Sequence, residues 1–216
     1  HKNLTIQTYV TFGTNWFIPR LGDFQKKEPS IRLRNTISFV DVDFDKDDAD
    51  IGIIMGEKLW SHWNYDYLFN LEMFPVCSPE LLKSGRLNTP EDLKNFPLIQ
   101  VDLAMDDWPL WLQAAGVAPE ICRDGPVVDN YLQAIERVYD GEALVMARTP
   151  FVARDIRAGL LVQPFALTIP EPGSWYMVTP KENESCKGTA LFRKWLIEQI
   201  RQDKNIPVID ALYLSR

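Results

Sequence analysis

The chain has 216 residues, of which 46% are apolar and 25% charged, so it can bury a substantial core as one large domain or two small ones. Its net charge of −7 argues against a segment that binds nucleic acid or an anionic membrane by itself, because both need a basic surface. Its three cysteines lack a CxxC pair, which favours reduced thiols over disulfides or a zinc site, and no apolar run approaches the ~18 residues of a membrane span.

The first predicted elements are a strand and a helix joined by a short polar turn. Apolar and polar residues alternate over 4–11, and apolar residues then recur at helical spacing as far as Lys27. Thr14 or Asn15 is predicted to cap this helix. Such a junction presents free N–H groups and a positive dipole end to a carboxylate, a phosphate or a polar ligand atom. A plain helix cap explains the same residues, so the turn at 11–15 does not by itself show that a ligand binds there.

The next elements predict a parallel sheet. A second alternating strand covers 31–37, and a near-continuous apolar run at 50–56 is typical of a strand buried on both faces. The acidic connection at 41–48 lacks the glycine and the closing glutamate of a calcium loop, which favours a solvated loop or short helix. Ligands bind beyond the carboxyl ends of such strands. The predicted ends are 11–15, 38–39 and 55–56.

The second half of the chain repeats this organisation. Helices open with a hydroxyl, a proline and an acid at 78–80 and 89–91, and a short strand at 127–128 runs into a helix at 129–131. The clearest helix covers 189–202, and the apolar tail after it is expected to pack back or to meet another subunit.

We therefore predict two α/β subdomains without a long linker between them. The first comprises 1–75 and 180–216 and the second 76–179, with extended crossovers near 73–77 and 178–181. A ligand cleft is expected between the two, as at many domain interfaces.

Signatures of catalysis are missing from the sequence. It contains no GxGxxG, GxxxxGK[ST] or HExxH, and His62 is the sole credible base, beside two tryptophans in a predicted surface loop. Three tryptophans on apolar helix faces, Trp16, Trp111 and Trp195, are predicted to lie in the core, whereas Trp175 is placed near a ligand. The pattern favours a module that binds a ligand and closes, with no cofactor or metal.

Seven stretches then match a known pattern in order: WFIPRL at 16–21, DIGI at 50–53, PVCSPELL at 75–82, TPEDL at 89–93, WLQAAG at 111–116, LVQPF at 161–165 and FRKWL at 192–196. Together they resemble the effector-binding domain of LysR-type transcriptional regulators. Within that family the chain is most similar to the branch of the glycine-cleavage activator and the β-lactamase regulator.

The resemblance implies a periplasmic-binding-protein-like fold of type 2, with two Rossmann-like subdomains, two crossover strands and an effector in the cleft. It also implies a winged helix-turn-helix and a linker helix ahead of this segment, which fits the abrupt start of the chain, and a homodimer through this domain within a full-length tetramer. The effector contacts it implies are Thr11, Gly13, Thr14, Ser38 and Met55 from the first subdomain, and Asp102, Asn130, Tyr131 and Trp175 opposite them.

The resulting prediction is a cytoplasmic ligand-sensing domain that has no contact with a membrane. Its regulator is expected to contact DNA only through the winged helix-turn-helix that the resemblance implies ahead of this segment. Two alternatives stay open. A solute-binding protein of a transporter has the same architecture but needs an export signal and must tolerate oxidation. A small enzyme needs a basic cofactor pocket or a nucleophile–base pair, for which His62 is the sole credible base.

Overall fold

The computed structural model describes residues 2–56 and 61–207, and the chain forms two compact units. Unit 1 comprises His1–Leu71 and Glu171–Arg216, and unit 2 comprises Glu72–Pro170. The sequence placed the boundaries later, after 75 and after 179. The difference arises because the strand that begins at Glu72 pairs within unit 2, whereas the strand that begins at Ser174 pairs within unit 1.

Unit 1 is built on a five-stranded mixed sheet in the order β2-β1-β3-β10-β4. Its strands are β1 (Lys2–Tyr9), β2 (Ile31–Ser38), β3 (Ile51–Gly56), β4 (Trp63–Phe69) and β10 (Ser174–Pro180). The first three run parallel, and β10 lies antiparallel between β3 and β4. The ends of β1, β2 and β3 therefore share one edge, called here the carboxyl edge of unit 1.

The predicted polar turn after β1 does not exist, because the chain is helical there. A π-helical segment, Phe12–Phe17, continues directly into α1 (Ile18–Lys27), and Thr11 already has helical φ and ψ of −68° and −46°. The Ile18 N–H donates to the Gly13 carbonyl, five residues back. Neither Thr14 nor Asn15 caps a helix, since both lie inside this segment.

Aromatic packing explains why the segment Phe12–Phe17 is wound as a π-helix and not as a narrower α-helix. In a π-helix residues five apart lie on one face, so Phe12 and Phe17 stack with ring centroids 6.4 Å apart while Trp16 stacks on Phe12 at 5.1 Å. All three rings are buried. On the other side of Phe17 lies α6 (Lys187–Gln202), which contributes Phe192 to the same core.

Unit 2 repeats the sheet pattern with its own strands, in the order β7-β6-β8-β5-β9. They are β5 (Glu72–Val76), β6 (Leu98–Val101), β7 (Val127–Val128), β8 (Leu144–Arg148) and β9 (Ile169–Pro170). β6 runs parallel to β7 and β8, and β5 is antiparallel to β8 and β9. The ends of β6, β7 and β8 form the carboxyl edge of unit 2. The prediction of two α/β subdomains is thus confirmed.

The helices of unit 2 follow the predicted order, with one difference. They are α2 (Pro79–Lys83), α3 (Asp107–Ala114), α4 (Tyr131–Tyr139) and α5 (Ala153–Arg157). The predicted helix after Thr89 is a 3₁₀ segment, Pro90–Asn95, with a capping box between Thr89 and Asp92. Shorter 3₁₀ turns cover Asp102–Ala104 and Pro119–Cys122, and a further one in unit 1 covers Lys181–Asn183.

The tryptophans predicted to lie in the core are buried, as expected. Trp16, Trp111 and Trp195 are 1%, 0% and 4% exposed, and each indole N–H donates to an oxygen: that of Trp111 to the Leu167 carbonyl, and that of Trp195 to the Asp23 carboxylate. Trp16 donates to the Asp203 carboxylate at the end of α6. The predicted tail beyond Pro207 lies outside the described residues.

The chain passes between the units twice, and the two passages lie side by side. The Glu171 N–H donates to the Leu71 carbonyl at 2.8 Å, and Glu72 pairs with Pro170 where β5 meets β9. The chain therefore crosses between the units at 71–72 and at 170–171, ahead of the crossovers predicted near 73–77 and 178–181.

The cysteines differ in exposure, and we expect them to differ in reactivity. Cys77 and Cys122 are buried, whereas Cys186 is half-buried at the start of α6. Burial raises the pKa of Cys77 to about 11 and also raises the pKa of Cys122. Because only the thiolate is nucleophilic, iodoacetamide should label Cys186 first in the folded chain. Peptide mass spectrometry should find Cys77 and Cys122 labelled only after unfolding, and early labelling of Cys77 would contradict the buried placement.

Candidate functional site

The carboxyl edge of unit 1 gathers most of the residues that the sequence singled out there. Tyr9 and Ser38 end their strands in register, and Met55 lies one residue before the end of β3. Thr11 is half-buried and Thr14 exposed in the first turn of the helical segment, where the Thr11 side chain makes no capping hydrogen bond. The Ser38 hydroxyl accepts a hydrogen bond from the Val40 N–H at 3.2 Å. Three small hydroxyl side chains, Thr11, Thr14 and Ser38, therefore lie at this edge.

Gly13 has a packing role at this edge. It is buried, and a Cβ built on it would lie 2.4 Å from the Thr8 hydroxyl oxygen. That hydroxyl is held by Asn35, to whose side-chain oxygen it donates at 3.2 Å. The absence of a side chain at Gly13 is what lets the π-helical segment lie directly on β1 and β2.

A tyrosine–carboxylate pair that the sequence did not single out lies at the same edge. Tyr9 ends β1, and its hydroxyl donates to the Asp41 carboxylate. Burial, reinforced by that carboxylate, raises the pKa of Tyr9 above the ordinary phenol value, and burial likewise raises the pKa of Asp41. The alternating pattern assigned Tyr9 to a strand and Asp41 to an acidic loop, and only the register of β1 with β2 brings the two together.

Trp175 belongs to unit 1, although the sequence placed it in the second subdomain. It lies in β10 opposite Met55, and it is 5% exposed. Its ring stacks on Phe12 at 5.8 Å and meets Tyr9 edge-on at 6.0 Å. Its indole N–H donates to the buried Glu171 carboxylate at 2.9 Å. Trp175 thus forms the apolar wall behind the carboxyl edge of unit 1.

The carboxyl edge of unit 2 carries the other three predicted residues. Asp102 follows β6 and is exposed, and Asn130 and Tyr131 follow β7. The side-chain oxygen of Asn130 accepts from the N–H groups of Leu132 and Gln133 at 3.0 and 3.1 Å, which caps α4. The predicted strand–turn–helix junction is confirmed here, and the Asn130 oxygen is committed to the helix.

The buried residues Asp107 and Arg148, which the sequence analysis did not single out, form a cluster at this edge with the half-buried Tyr131. Arg148 donates from both terminal nitrogens to both oxygens of Asp107, each at 2.8 Å, and the Tyr131 hydroxyl donates to the same carboxylate at 2.5 Å. The Arg148 guanidinium carbon lies 4.6 Å from the centroid of the Tyr131 ring. The Tyr131 hydrogen is thereby committed, so its oxygen can only accept a further bond. An arginine that ends an apolar strand was the available signal in the sequence.

Neither the predicted base nor a metal-binding group lies at the carboxyl edges of the two sheets among the described residues. His62 is exposed beside Trp63 and lies in unit 1 away from the carboxyl edge, because β4 begins just after it. Within residues 2–56 and 61–207, no group of three or more His, Cys, Asp or Glu side chains could hold a metal ion. None of the helices in this part of the chain is long and apolar enough to cross a bilayer.

Comparison with known proteins gives the family. The family described as "LysR substrate binding domain" matches residues 1–201. This chain belongs to that family. As a LysR domain it has the periplasmic-binding-protein-like fold of type 2, which its two mixed sheets display.

The relatives of this LysR domain are transcription regulators. It is 32% identical over 205 residues to the HTH-type transcriptional regulator PerR of Escherichia coli K12, which covers 94% of this chain and 68% of the relative. It is 29% identical to the glycine cleavage system transcriptional activator of the same strain, over 90% of this chain and 64% of the relative. The LysR domain thus spans about two-thirds of the length of these relatives. They favour a regulator over the solute-binding alternative.

Solved structures agree with this assignment. The effector domain of the regulator AmpR of Pseudomonas aeruginosa superposes with a TM-score of 0.82 at 29% identity, covering 93% of this chain and 96% of that one. The AmpR effector-binding domain of Citrobacter freundii gives a TM-score of 0.83 at 26% identity, covering 94% and 100%. The chain is therefore an effector-binding domain of the LysR type.

Proposed function

We propose that this domain senses a small molecule for a bacterial transcription regulator that acts in the cytoplasm. Effector binding favours one conformation of the domain, and that shift changes the spacing of DNA-binding heads elsewhere in the full-length protein. The observation that carries the proposal is the family match over residues 1–201. The hydroxyl and carboxylate side chains at the carboxyl edges of both sheets support it, because ligands of α/β sheets bind there. The domain binds its effector and does not transform it.

The predicted effector contacts divide by what their side chains offer. Thr11, Thr14 and Ser38 supply hydroxyls at the edge of unit 1, and Asp102 supplies an exposed carboxylate in unit 2. Met55 and Trp175 contribute apolar surface, and Gly13 provides space. Asn130 and Tyr131, at the start of α4, complete the proposed set, with the Tyr131 oxygen as an acceptor.

We further propose that the domain forms a homodimer, and the full-length regulator a tetramer. Three apolar side chains on and just after the edge strand β2 support this: Ile37, Phe39 and Val40 are 41%, 52% and 65% exposed. An edge strand flanked by exposed apolar side chains is a surface suited to a second chain.

Native mass spectrometry of the purified chain tests both proposals at once. A mass excess that disappears on denaturation would reveal a retained effector, and the charge-state series gives the number of subunits. We expect a dimer that carries a small molecule. A monomer would argue against the homodimer. A ligand-free chain whose melting temperature no metabolite of a broad panel raises would argue against sensing.

Changing one hydroxyl at the edge of unit 1 should weaken effector binding and leave the fold intact. Thr14→Val and Ser38→Ala each remove one candidate hydrogen bond, which corresponds to about 1–3 kcal/mol or a 5- to 150-fold weaker affinity. The matched control is Ser30→Ala, because Ser30 precedes β2 at its opposite end and is exposed. The retained fraction measured by native mass spectrometry should fall in the first two variants alone. An equal fraction in all three would place the effector elsewhere.

A further inference from the structure

The carboxylate of Asp107 joins three elements that meet at the carboxyl edge of unit 2. Asp107 is the first residue of α3, Arg148 the last residue of β8 and Tyr131 the first residue of α4. Both Asp107 oxygens accept from Arg148 at 2.8 Å, and one of them also accepts from Tyr131 at 2.5 Å. Two helices and one strand are therefore fixed relative to one another by a single side chain.

Arg148 holds Tyr131 through the ring as well as through the shared carboxylate. Its guanidinium lies over the tyrosine ring, with the carbon 4.6 Å from the centroid, and one of its nitrogens lies 3.6 Å from the Met73 sulfur in β5. The ring and the hydroxyl of Tyr131 thus have separate restraints. Since α4 begins at Tyr131, these restraints also orient the Asn130 cap and the first turn of the helix.

Stability alone is a weak explanation for this arrangement. The side chains of Arg148 and Asp107 are only 4% and 10% exposed, and burying such a pair costs about as much desolvation energy as the pairing returns. Apolar side chains of similar volume would fill the same space at least as well. A bidentate ion pair fixes the orientation of the two side chains relative to each other, which apolar packing does not do.

We propose that Asp107 and Arg148 are positioning residues, which hold Tyr131 and the first turn of α4 in the orientation that meets the effector. The proposal rests on the proposed function, because that function makes the start of α4 an effector contact. Neither residue touches the effector itself. Their role is to keep the Tyr131 oxygen and the Asn130 cap in place before the effector arrives, which lowers the ordering cost of binding.

The test measures how firmly the first turn of α4 is held when no effector is bound. The amide hydrogens of Leu132 and Gln133 bond to the Asn130 side chain, so their exchange with deuterium reports the first turn of α4. Arg148→Ala should speed their exchange by about tenfold, and Tyr131→Phe, which removes only the hydroxyl, should have a smaller effect of the same sign. Arg137→Ala is the matched control, because it breaks an exposed pair with Asp140 at the other end of the same helix.

Chemical rescue separates positioning from general support of the fold. Guanidinium chloride, far below denaturing concentrations, should restore slow exchange at Leu132 and Gln133 in Arg148→Ala, because the free ion fits the vacated space and both carboxylate oxygens. Sodium chloride at the same ionic strength should not. Exchange in α6 of unit 1 should stay unchanged throughout.

The outcomes test the positioning role and the proposed function independently of each other. If Arg148→Ala and Tyr131→Phe leave exchange at Leu132 and Gln133 unchanged, the positioning role is overturned, whether or not the chain retains an effector. A second result also overturns the positioning role. In it, only Arg148→Ala speeds exchange at Leu132 and Gln133, exchange in β8 accelerates by the same factor, and guanidinium restores neither. The ion pair would then support the core of unit 2 as a whole. Local, rescued acceleration supports it. A chain that never binds an effector overturns the proposed function by the native mass measurement alone.

Discussion

Gly125→Ala is expected to lower the free energy of unfolding by about 3 kcal/mol, because the new methyl group would overlap with neighbouring backbone atoms. A Cβ at this position would lie 2.0 Å from the carbonyl oxygen of Leu98 and 3.2 Å from that of Cys122. Both neighbours are backbone atoms, so no rotamer change relieves the overlap. The strand β7 would have to move away from β6.

That movement is opposed by hydrogen bonds on both sides of the glycine. The Gln100 N–H donates to the Pro126 carbonyl at 2.8 Å, and the Gln100 side chain donates to the Cys122 carbonyl at 2.8 Å. Gln100 is 5% exposed, so a broken bond would leave a buried polar group unpaired. The cost therefore combines overlap with lost pairing at the edge of the sheet.

The matched control for Gly125→Ala is Gly22→Ala, which should have the opposite sign. Gly22 lies inside α1, is exposed and has nothing within 4 Å of a built Cβ. Alanine is preferred over glycine in a helix by about 0.5–1 kcal/mol, so this variant should gain stability. Urea denaturation of both variants, followed by tryptophan fluorescence, measures the difference. Equal stability of the two would show that the loop before β7 yields freely.

Local signals in the sequence were sufficient for the elements whose structure is set locally. The apolar run that became β3 and the helix start at Asn130 followed from patterns within a few residues. The same reasoning failed at Thr14, where a polar turn was predicted and a π-helical segment was found. There the burial of Phe12, Trp16 and Phe17 in a shared core decides the winding, and a local pattern does not contain that information.

The candidate site shows the same limit. The strand ends on which Ser38 and Met55 lie could be predicted, because parallel strands end at one edge. The sheet that Trp175 joins could not, since an antiparallel strand returning from a distant part of the chain has no local marker. Asp107 and Arg148 are 41 positions apart, and only the folded unit makes them a pair.

Removing the Asp107 carboxylate alone should be the most destabilising change at the carboxyl edge of unit 2. Asp107→Ala removes the carboxylate that pairs with the Arg148 guanidinium, which is 4% exposed, and breaking such a pair costs about 3–5 kcal/mol. The Tyr131 hydroxyl loses its acceptor in the same variant. Urea denaturation should therefore show a larger loss for Asp107→Ala than for Tyr131→Phe, which keeps the ion pair.

A double variant identifies the source of that loss. Asp107→Leu combined with Arg148→Met removes both charges and keeps much of the volume, so it should recover most of the stability lost in Asp107→Ala. Asp140→Ala is the exposed control, because the pair of Asp140 with Arg137 is 71% and 63% exposed and contributes only about 0–1 kcal/mol. If the double variant is as unstable as Asp107→Ala, the cost is lost packing and not an uncompensated buried charge. The alternative result is that the double variant recovers stability while exchange at Leu132 and Gln133 stays as fast as in Arg148→Ala. That result would show that the two charges hold the first turn of α4 in place and that the stability of the fold does not depend on them.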